Sequence, residues 1–410
     1  MNKKLIYLDH AATTPVDPEV VLAMEPYWCD VSANPSSLHR CGQEAIKAVD
    51  GARETVARFV GASQPREIIF TGSATEANNL AIRGIVSNAQ RVVLRNQKRT
   101  TLWVAHIVTT AIEHASVLEP IRALEKAGAI EATILGVDTG GRIQPEAVTA
   151  ALRENTVLVS IGLANNEIGT IQPIAEIVAA VKAKSPREAQ RVVLRNQKRT
   201  TLWAPIIHTD AAQAAPWLDV DVRKLGVDLM TISAHKMYGP KGIGALYRKD
   251  EVKLEPILYG GGQEYGLRSG TENVPAIVGF AKAAERTAEW KENAENIRAV
   301  EELREHLWNE IRRIIPNAEV NGHPSERLPN NLNVFIPNAD PDVFLIALSE
   351  DGMCVSSGSA CAARSQMLSH VIQAIGKADK NGCHLRITLG RRTARTDIDA
   401  LVQATKKCLP

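Results

Sequence analysis

The stretch "ISAHKMYGPKGIGALY", residues 232–247, sets Lys236 directly after His235, between an apolar run and a glycine-containing turn. A lysine in that setting suits use of its amine rather than solvation. Asp210 lies 26 residues earlier, in "HTDAAQ" (208–213). That spacing leaves room for one crossover helix and one strand, so both residues can stand at the ends of neighbouring strands. A carboxylate that keeps a pyridinium nitrogen protonated, paired with an imine-forming lysine, is the protein half of a pyridoxal phosphate (PLP) site. Singly, Asp210 reads as a helix N-cap and Lys236 as a surface lysine; together they read as cofactor chemistry. Gln213, three residues after Asp210, can reach a neighbouring ring oxygen.

Other stretches carry compatible chemistry. "FTGSATEANNLAI" (70–82) is a strand, a small-residue turn and an amphipathic helix. There Ala74 and Thr75 can hold a phosphate with backbone N–H groups and a hydroxyl at a helix N-terminus. Ser233 and His235 can add to that grip. His114, in "AIEHASV", can stack on a planar ring and move protons, or simply be structural. Asn165 and Asn166 end a strand in "LANNEIG", where a turn competes with a ligand role. Arg386 lies mid-strand in "HLRITLGRRT" and needs an anion, either a substrate carboxylate or an internal partner. Cys361 sits in the small, polar loop "CVSSGSACAAR" beside Arg364, a setting for a nucleophile rather than for core packing.

These residues need a scaffold. Seven buried strand-like runs, at 66–72, 104–111, 131–137, 156–164, 205–212, 228–234 and 244–248, alternate with helix-like stretches at 75–87, 116–127, 144–153 and 173–184. The alternation predicts an α/β fold with a mostly parallel sheet covered on both faces. After about 260 the texture changes to long helical segments at 274–314, two strands and a last helix at 396–408, which reads as a smaller α+β domain.

The chain has 410 residues, 45% hydrophobic and 23% charged, as expected of globular domains. No apolar run approaches the ~18 residues of a membrane span, and "MNKKLIYLDHAATTP" has no signal-peptide pattern. Six cysteines without CxxC spacing argue against zinc and disulfides, and for a reducing, cytoplasmic setting. Net charge is +2. The segment "AQRVVLRNQKRTTLW" occurs twice, at 89–103 and 189–203, and each copy contributes +4, so the rest of the chain is −6. The slight basicity belongs to the repeat and argues no nucleic-acid role. Identity over 15 positions points to recent duplication or an artefact of sequence assembly rather than to function, the alternative being a pair of basic surface loops. Each copy precedes a strand, so both should lie at the edge of the sheet away from the chemistry.

The ordered set "YLDHAATTP" (7–15), "NPSS" (34–37), "ATEANNLAI", "EH", "NNEIG", "HTDAAQ", "SAHKMYGPKGIGALY", "GGGQEYGLRSGTEN" (260–273), "SSGSAC" and "LRITLGR" resembles the cysteine desulfurase family of PLP enzymes, which includes selenocysteine lyases. The loop after Cys361 is similar to the branch with an extended cysteine loop. The resemblance implies a fold-type I PLP-dependent transferase acting as a homodimer. Its large domain, 15–260, would carry the seven-stranded sheet; 1–14 and 261–410 would form the small domain. By position, Lys236 resembles the Schiff-base lysine, Asp210 the ring-nitrogen partner, Gln213 the ring-hydroxyl partner and His114 the stacking residue. Ala74, Thr75, Ser233 and His235 resemble phosphate ligands, and Thr271 one that reaches the neighbouring subunit's phosphate. Asn34, Asn166 and Arg386 would hold substrate, with Asn166 also near the cofactor. Cys361 would take the sulfur of L-cysteine and pass it to an acceptor such as an iron–sulfur scaffold. Transamination needs no thiol, so Cys361 opposes a plain aminotransferase; selenocysteine lyase and a basic binding module remain the competing readings.

Overall fold

A computed structural model describes residues 5–96, 104–184, 204–358, 368–378 and 381–409. Seven strands form one sheet in the order Ile68–Thr71, Gly244–Arg248, Leu229–Ser233, Ile206–Asp210, Thr156–Ser160, Ala105–Thr110, Ile130–Leu135. Only Gly244–Arg248 runs against the rest. Five of the seven are buried along their whole length, which is why they read as unbroken Ile/Val/Leu runs rather than as alternation.

The helices Ala74–Asn96, Ala115–Lys126, Pro145–Ala151 and Ile174–Lys184 connect these strands. Each parallel strand therefore ends at one edge of the sheet and hands the chain to a loop there. Asp210 closes its strand, and Lys236 follows the end of the adjacent one, where Asp210 pairs with Thr231.

The second half is built differently. The helical stretch at 274–314 is two helices, Val274–Glu292 and Ala294–Ile314. The break falls at Asn293, whose side chain accepts from Glu295 N–H at 3.1 Å and caps the second helix. Val274–Glu292 packs on Arg40–Val60 beside the large sheet. Glu319–Asn321, Asn331–Pro337 and Gly382–Thr388 form a three-stranded antiparallel sheet. The N-terminal Ile6–Tyr7 pairs with Met353–Cys354, and Asp9 bridges to Thr388. One hydrophobic cluster joins Ile232 and Ala245 of the large sheet to Val334 and Leu385 of the small one.

The first copy of the repeat begins inside a helix, not in a surface loop. Residues 89–96 complete Ala74–Asn96; Ala89 is buried, Gln90 donates to the Ala129 carbonyl at 3.1 Å, and Arg91 pairs with Glu255 at 2.6 Å. At 1.5 Å per residue, the start of the copy at Ala89 lies about 22 Å along that helix from Ala74. Residues 97–103 and the second copy lie outside the described residues.

No described helix is long and apolar enough to cross a membrane, and no group of metal-ligating side chains occurs among the described residues.

Candidate active site

The loops at the carboxyl edge of the sheet enclose a cleft of about 1080 Å³ including its open mouth. Its lining contains Ala74, Thr75, His114, Asn165, Asn166, Asp210, Gln213, Ser233, His235, Lys236 and Arg386. Residues from six separate stretches thus converge on one cavity, where ligands of open α/β sheets bind.

Asp210 is braced from behind. Asn78 Nδ2 donates to Asp210 Oδ2 at 2.7 Å and the Ala212 N–H to Oδ1 at 2.9 Å. Lys236 Nζ donates to the carbonyls of Ala11 and, at 2.8 Å, Ala12. Gln213 Nε2 also donates to the Ala11 carbonyl, at 2.8 Å. Thr14 Oγ1 donates to the His235 carbonyl at 2.9 Å, and Thr13 Oγ1 lies 3.2 Å from His235 Nδ1. The segment 9–14 therefore wraps the lysine. Its sequence signal, "YLDHAATTP", is a row of small residues whose close backbone approach only the fold reveals.

His114 caps a helix and also lines the cleft. Its Nδ1 accepts from the Ser116 N–H at 3.1 Å, capping the helix Ala115–Lys126, while the ring lines the cleft. Burial lowers its pKa, opposed by the charge of Asp210 and helped by that of Lys236, and with Nδ1 accepting, the neutral ring carries its proton on Nε2. Burial followed by Lys236 and Lys241 lowers that of His235 to about 4. Asn165 is a turn residue: its Oδ1 accepts from Glu167 and Ile168 N–H at 2.8 and 3.0 Å.

Arg386 is 1% exposed. It donates to Asp9 Oδ1 at 2.8 Å and to the Asn166 carbonyl at 3.1 Å, while its Nε has no partner among the described residues. The internal ion pair and the cleft-facing cation are therefore one arrangement: Asp9 aims the guanidinium.

Glu113 also lines the cleft, and no motif singled it out beyond its place beside His114. It accepts from Thr110 Oγ1 at 2.6 Å and from the Gly162 N–H at 2.9 Å. Burial raises its pKa to about 8. That shift disfavours a second anion beside Asp210.

The cleft fits a phosphorylated pyridine. Ser233 Oγ is buried without a hydrogen-bond partner among the described residues, next to Ala74 and Thr75 at a helix N-terminus. A Cβ on Gly244 would come 2.8 Å from the Ala74 nitrogen, so glycine there leaves the turn free to form this seat. Asp210, in the same lining, supplies the carboxylate that a protonated ring nitrogen needs.

Asn34 and Thr271 are not in this cleft. They line a second pocket with Tyr27, Glu272 and Pro275. Cys361 lies outside the described residues, as does Arg364. The flanks of their segment are described: Ser356 pairs with Arg386 across a bridge, and Ser369 Oγ donates to Glu167 Oε2 at 2.5 Å.

The chain is similar to known proteins along nearly its whole length. The class-V aminotransferase family matches residues 6–189 and 199–401, leaving out most of the second repeat copy. Cysteine desulfurase IscS 1 of Archaeoglobus fulgidus is 40% identical over 399 residues, 97% of this chain and 95% of that protein. The mitosomal cysteine desulfurase of Encephalitozoon cuniculi is 40% identical over 98% of this chain and 86% of its own. Among solved structures, a NifS-like protein superposes with a TM-score of 0.85 at 33% identity, covering 98% of each chain. A protein called SspA, solved in complex with cysteine, superposes with a TM-score of 0.75 at 34% identity over 95% of this chain and 99% of its own.

Proposed function

This chain belongs to the class-V aminotransferase family, among its cysteine desulfurases, and we propose on that footing that it converts L-cysteine to L-alanine, holding the sulfur as a persulfide on Cys361 for an acceptor protein such as an iron–sulfur scaffold. The observation that carries the reading is the convergence of Lys236, Asp210 and Arg386 on one cleft. Bound PLP supplies an electron sink at the substrate α-carbon.

The chain's own residues divide the remaining work. Asp210 keeps a proton on the ring nitrogen, and Gln213 and the His114 ring hold the ring's position. Ala74, Thr75, Ser233 and His235 grip the phosphate. Lys236 carries the cofactor through its amine and moves the α-proton. Arg386 binds the α-carboxylate with Asn166 beside it. Cys361, as thiolate, attacks the substrate sulfur. An S–S bond forms as the C–S bond breaks, the bonding pair stays with the carbon skeleton, and a proton completes alanine.

We take the enzyme to be a cytoplasmic homodimer with Thr271 turned toward the neighbouring copy, and the divisions 15–260 and 1–14 with 261–410 as its domains. The described cysteines are all free, in keeping with a reducing compartment. The reading is tested by supplying L-cysteine to the PLP-loaded protein and measuring alanine, sulfide and protein-bound persulfide. Absence of all three overturns it.

Arg386→Lys keeps the charge but loses the planar fork. Disturbing one member of a buried, hydrogen-bonded charge network costs about 2–5 kcal/mol. At 1.4 kcal/mol per factor of ten, kcat/KM for cysteine falls at least about 30-fold. The loss should appear mainly in KM, with the PLP spectrum intact. Unchanged KM would remove Arg386 from carboxylate binding.

Deleting 190–198, the internal residues that the family leaves unmatched, should keep cysteine turnover within about tenfold, because misplacement of reacting groups costs ~100-fold and the strand Ile206–Asp210 that follows meets the cleft at its far end. A larger loss in a folded, PLP-loaded protein would show that the segment shapes the site.

A further inference from the structure

The loop 258–273 is held by contacts the reaction itself does not use. Arg53, on the helix Arg40–Val60, meets Glu264 through two parallel bonds of 2.7 and 2.8 Å. Both side chains are buried, at 7% and 2% exposure. Arg53 also donates to the Ile68 carbonyl at 2.7 Å, and the Phe70 N–H donates to Glu264 Oε2 at 2.9 Å. The guanidinium lies 4.8 Å from the Phe70 ring centroid and 5.2 Å from that of Tyr265.

This anchor pins a strained turn. Glu264 and Tyr265 have φ of 48° and 58°, a left-handed pair that costs non-glycine residues about 1–2 kcal/mol each. Strain of this kind persists only where the surroundings over-determine it. A buried ion pair is weak as a source of stability, since desolvation offsets its attraction, but it is specific about geometry. The turn passes that geometry on. Gln263 Oε1 accepts from the Gly270 N–H at 2.9 Å, and Arg268 Nε donates to Glu76 Oε1 at 2.9 Å. Gly270 directly precedes Thr271, which is exposed and lines the second pocket rather than the cleft of its own chain. Tyr259 and Tyr265 stand exposed on the same loop, at 80% and 57%.

We propose that Arg53, Glu264 and Gln263 are positioning residues that act across the dimer: they hold the 258–273 loop so that Thr271 meets the cofactor phosphate of the neighbouring copy. The inference rests on the PLP-dependent homodimer proposed above. Arg53 and Glu264 set the turn, Gln263 spans it, and the Gly270 N–H fixes the direction in which Thr271 leaves.

The test is a PLP titration of cofactor-stripped protein, followed by the absorbance of lysine-linked cofactor. Gln263 is half-buried, so Gln263→Ala removes one hydrogen bond without opening the core. It should weaken PLP binding about tenfold, and Glu264→Gln at least as much. If these residues act through Thr271, the double variant Gln263→Ala/Thr271→Ala binds PLP no more weakly than the worse single variant; additive losses would overturn the proposal. Mixed dimers decide the direction of action. Pairing a Lys236→Ala chain with a Gln263→Ala chain leaves one lysine-bearing site, whose neighbouring loop is wild type. That site should regain wild-type affinity, and persistence of the Gln263→Ala defect would overturn action in trans. If Thr271→Ala weakens PLP binding but Gln263→Ala and Glu264→Gln do not, the inference alone fails. A monomer in sedimentation would bring down the dimer reading and the inference with it, and a Thr271→Ala protein with unchanged affinity would remove the phosphate role of Thr271 on which the inference depends.

Discussion

Lys236→Ala abolishes turnover of L-cysteine and removes the absorbance of lysine-linked PLP, while PLP still binds through the phosphate seat: this is the expected result with the largest effect. The lysine has two duties in the proposed reaction, carrying the cofactor and moving the α-proton. A positioned general base alone is worth about 10²–10⁴ in rate, and loss of covalent attachment compounds it. A loss of at least ~10⁴-fold follows. Phosphate binding should survive because Ser233, His235, Ala74 and Thr75 belong to strand ends and a helix N-terminus that do not depend on the lysine. Lys236 also ties down the 9–14 segment through the Ala11 and Ala12 carbonyls, so a structural explanation needs its own control. Lys236→Arg supplies donors for those carbonyls but no nucleophilic amine, since a guanidinium stays protonated. It should be as inactive as the alanine variant. Wild-type catalysis in either one would overturn the PLP assignment.

What could be read before folding, and what could not, follows from where the information sits. The central strands were legible because burial on both faces makes them continuous apolar runs. Asp210 and Lys236 were legible as a pair because a crossover between adjacent parallel strands has a characteristic length. Arg386 was legible only as a demand for an anion; that Asp9, 377 residues away, meets it has no local trace. The grip of segment 9–14 on Lys236 spans 225 and 224 residues and runs through backbone carbonyls, which any sequence possesses. Glu113 has no sequence signal, because one glutamate beside a histidine looks like any surface carboxylate until the fold buries it. The alternative reading of the repeat as basic surface loops does not hold for its start, because Ala89 and Gln90 lie in a helix that the upstream sequence has already begun.

Cys361→Ala should separate sulfur chemistry from cofactor chemistry. Thiolate is a poor leaving group from carbon, so removing sulfur from cysteine requires a nucleophile to accept it. A selenol is more acidic and selenium leaves more readily, so selenocysteine does not impose the same demand. The variant is therefore expected to keep its PLP spectrum and to respond spectrally to cysteine, because Lys236, Asp210 and Arg386 are untouched. It should form no persulfide and release no alanine from cysteine, a loss to below detection. Selenocysteine turnover should fall far less. In the wild type, an ordinary thiol titrates near pH ~8.5, so cysteine turnover should rise as pH climbs through that region. The same pH series with selenocysteine should be flatter, since that reaction needs no thiolate from Cys361. Alanine released from cysteine at the wild-type rate by Cys361→Ala would show that another group accepts the sulfur. A wild-type protein that consumes selenocysteine but leaves cysteine untouched would replace desulfuration with selenocysteine cleavage on the same cleft.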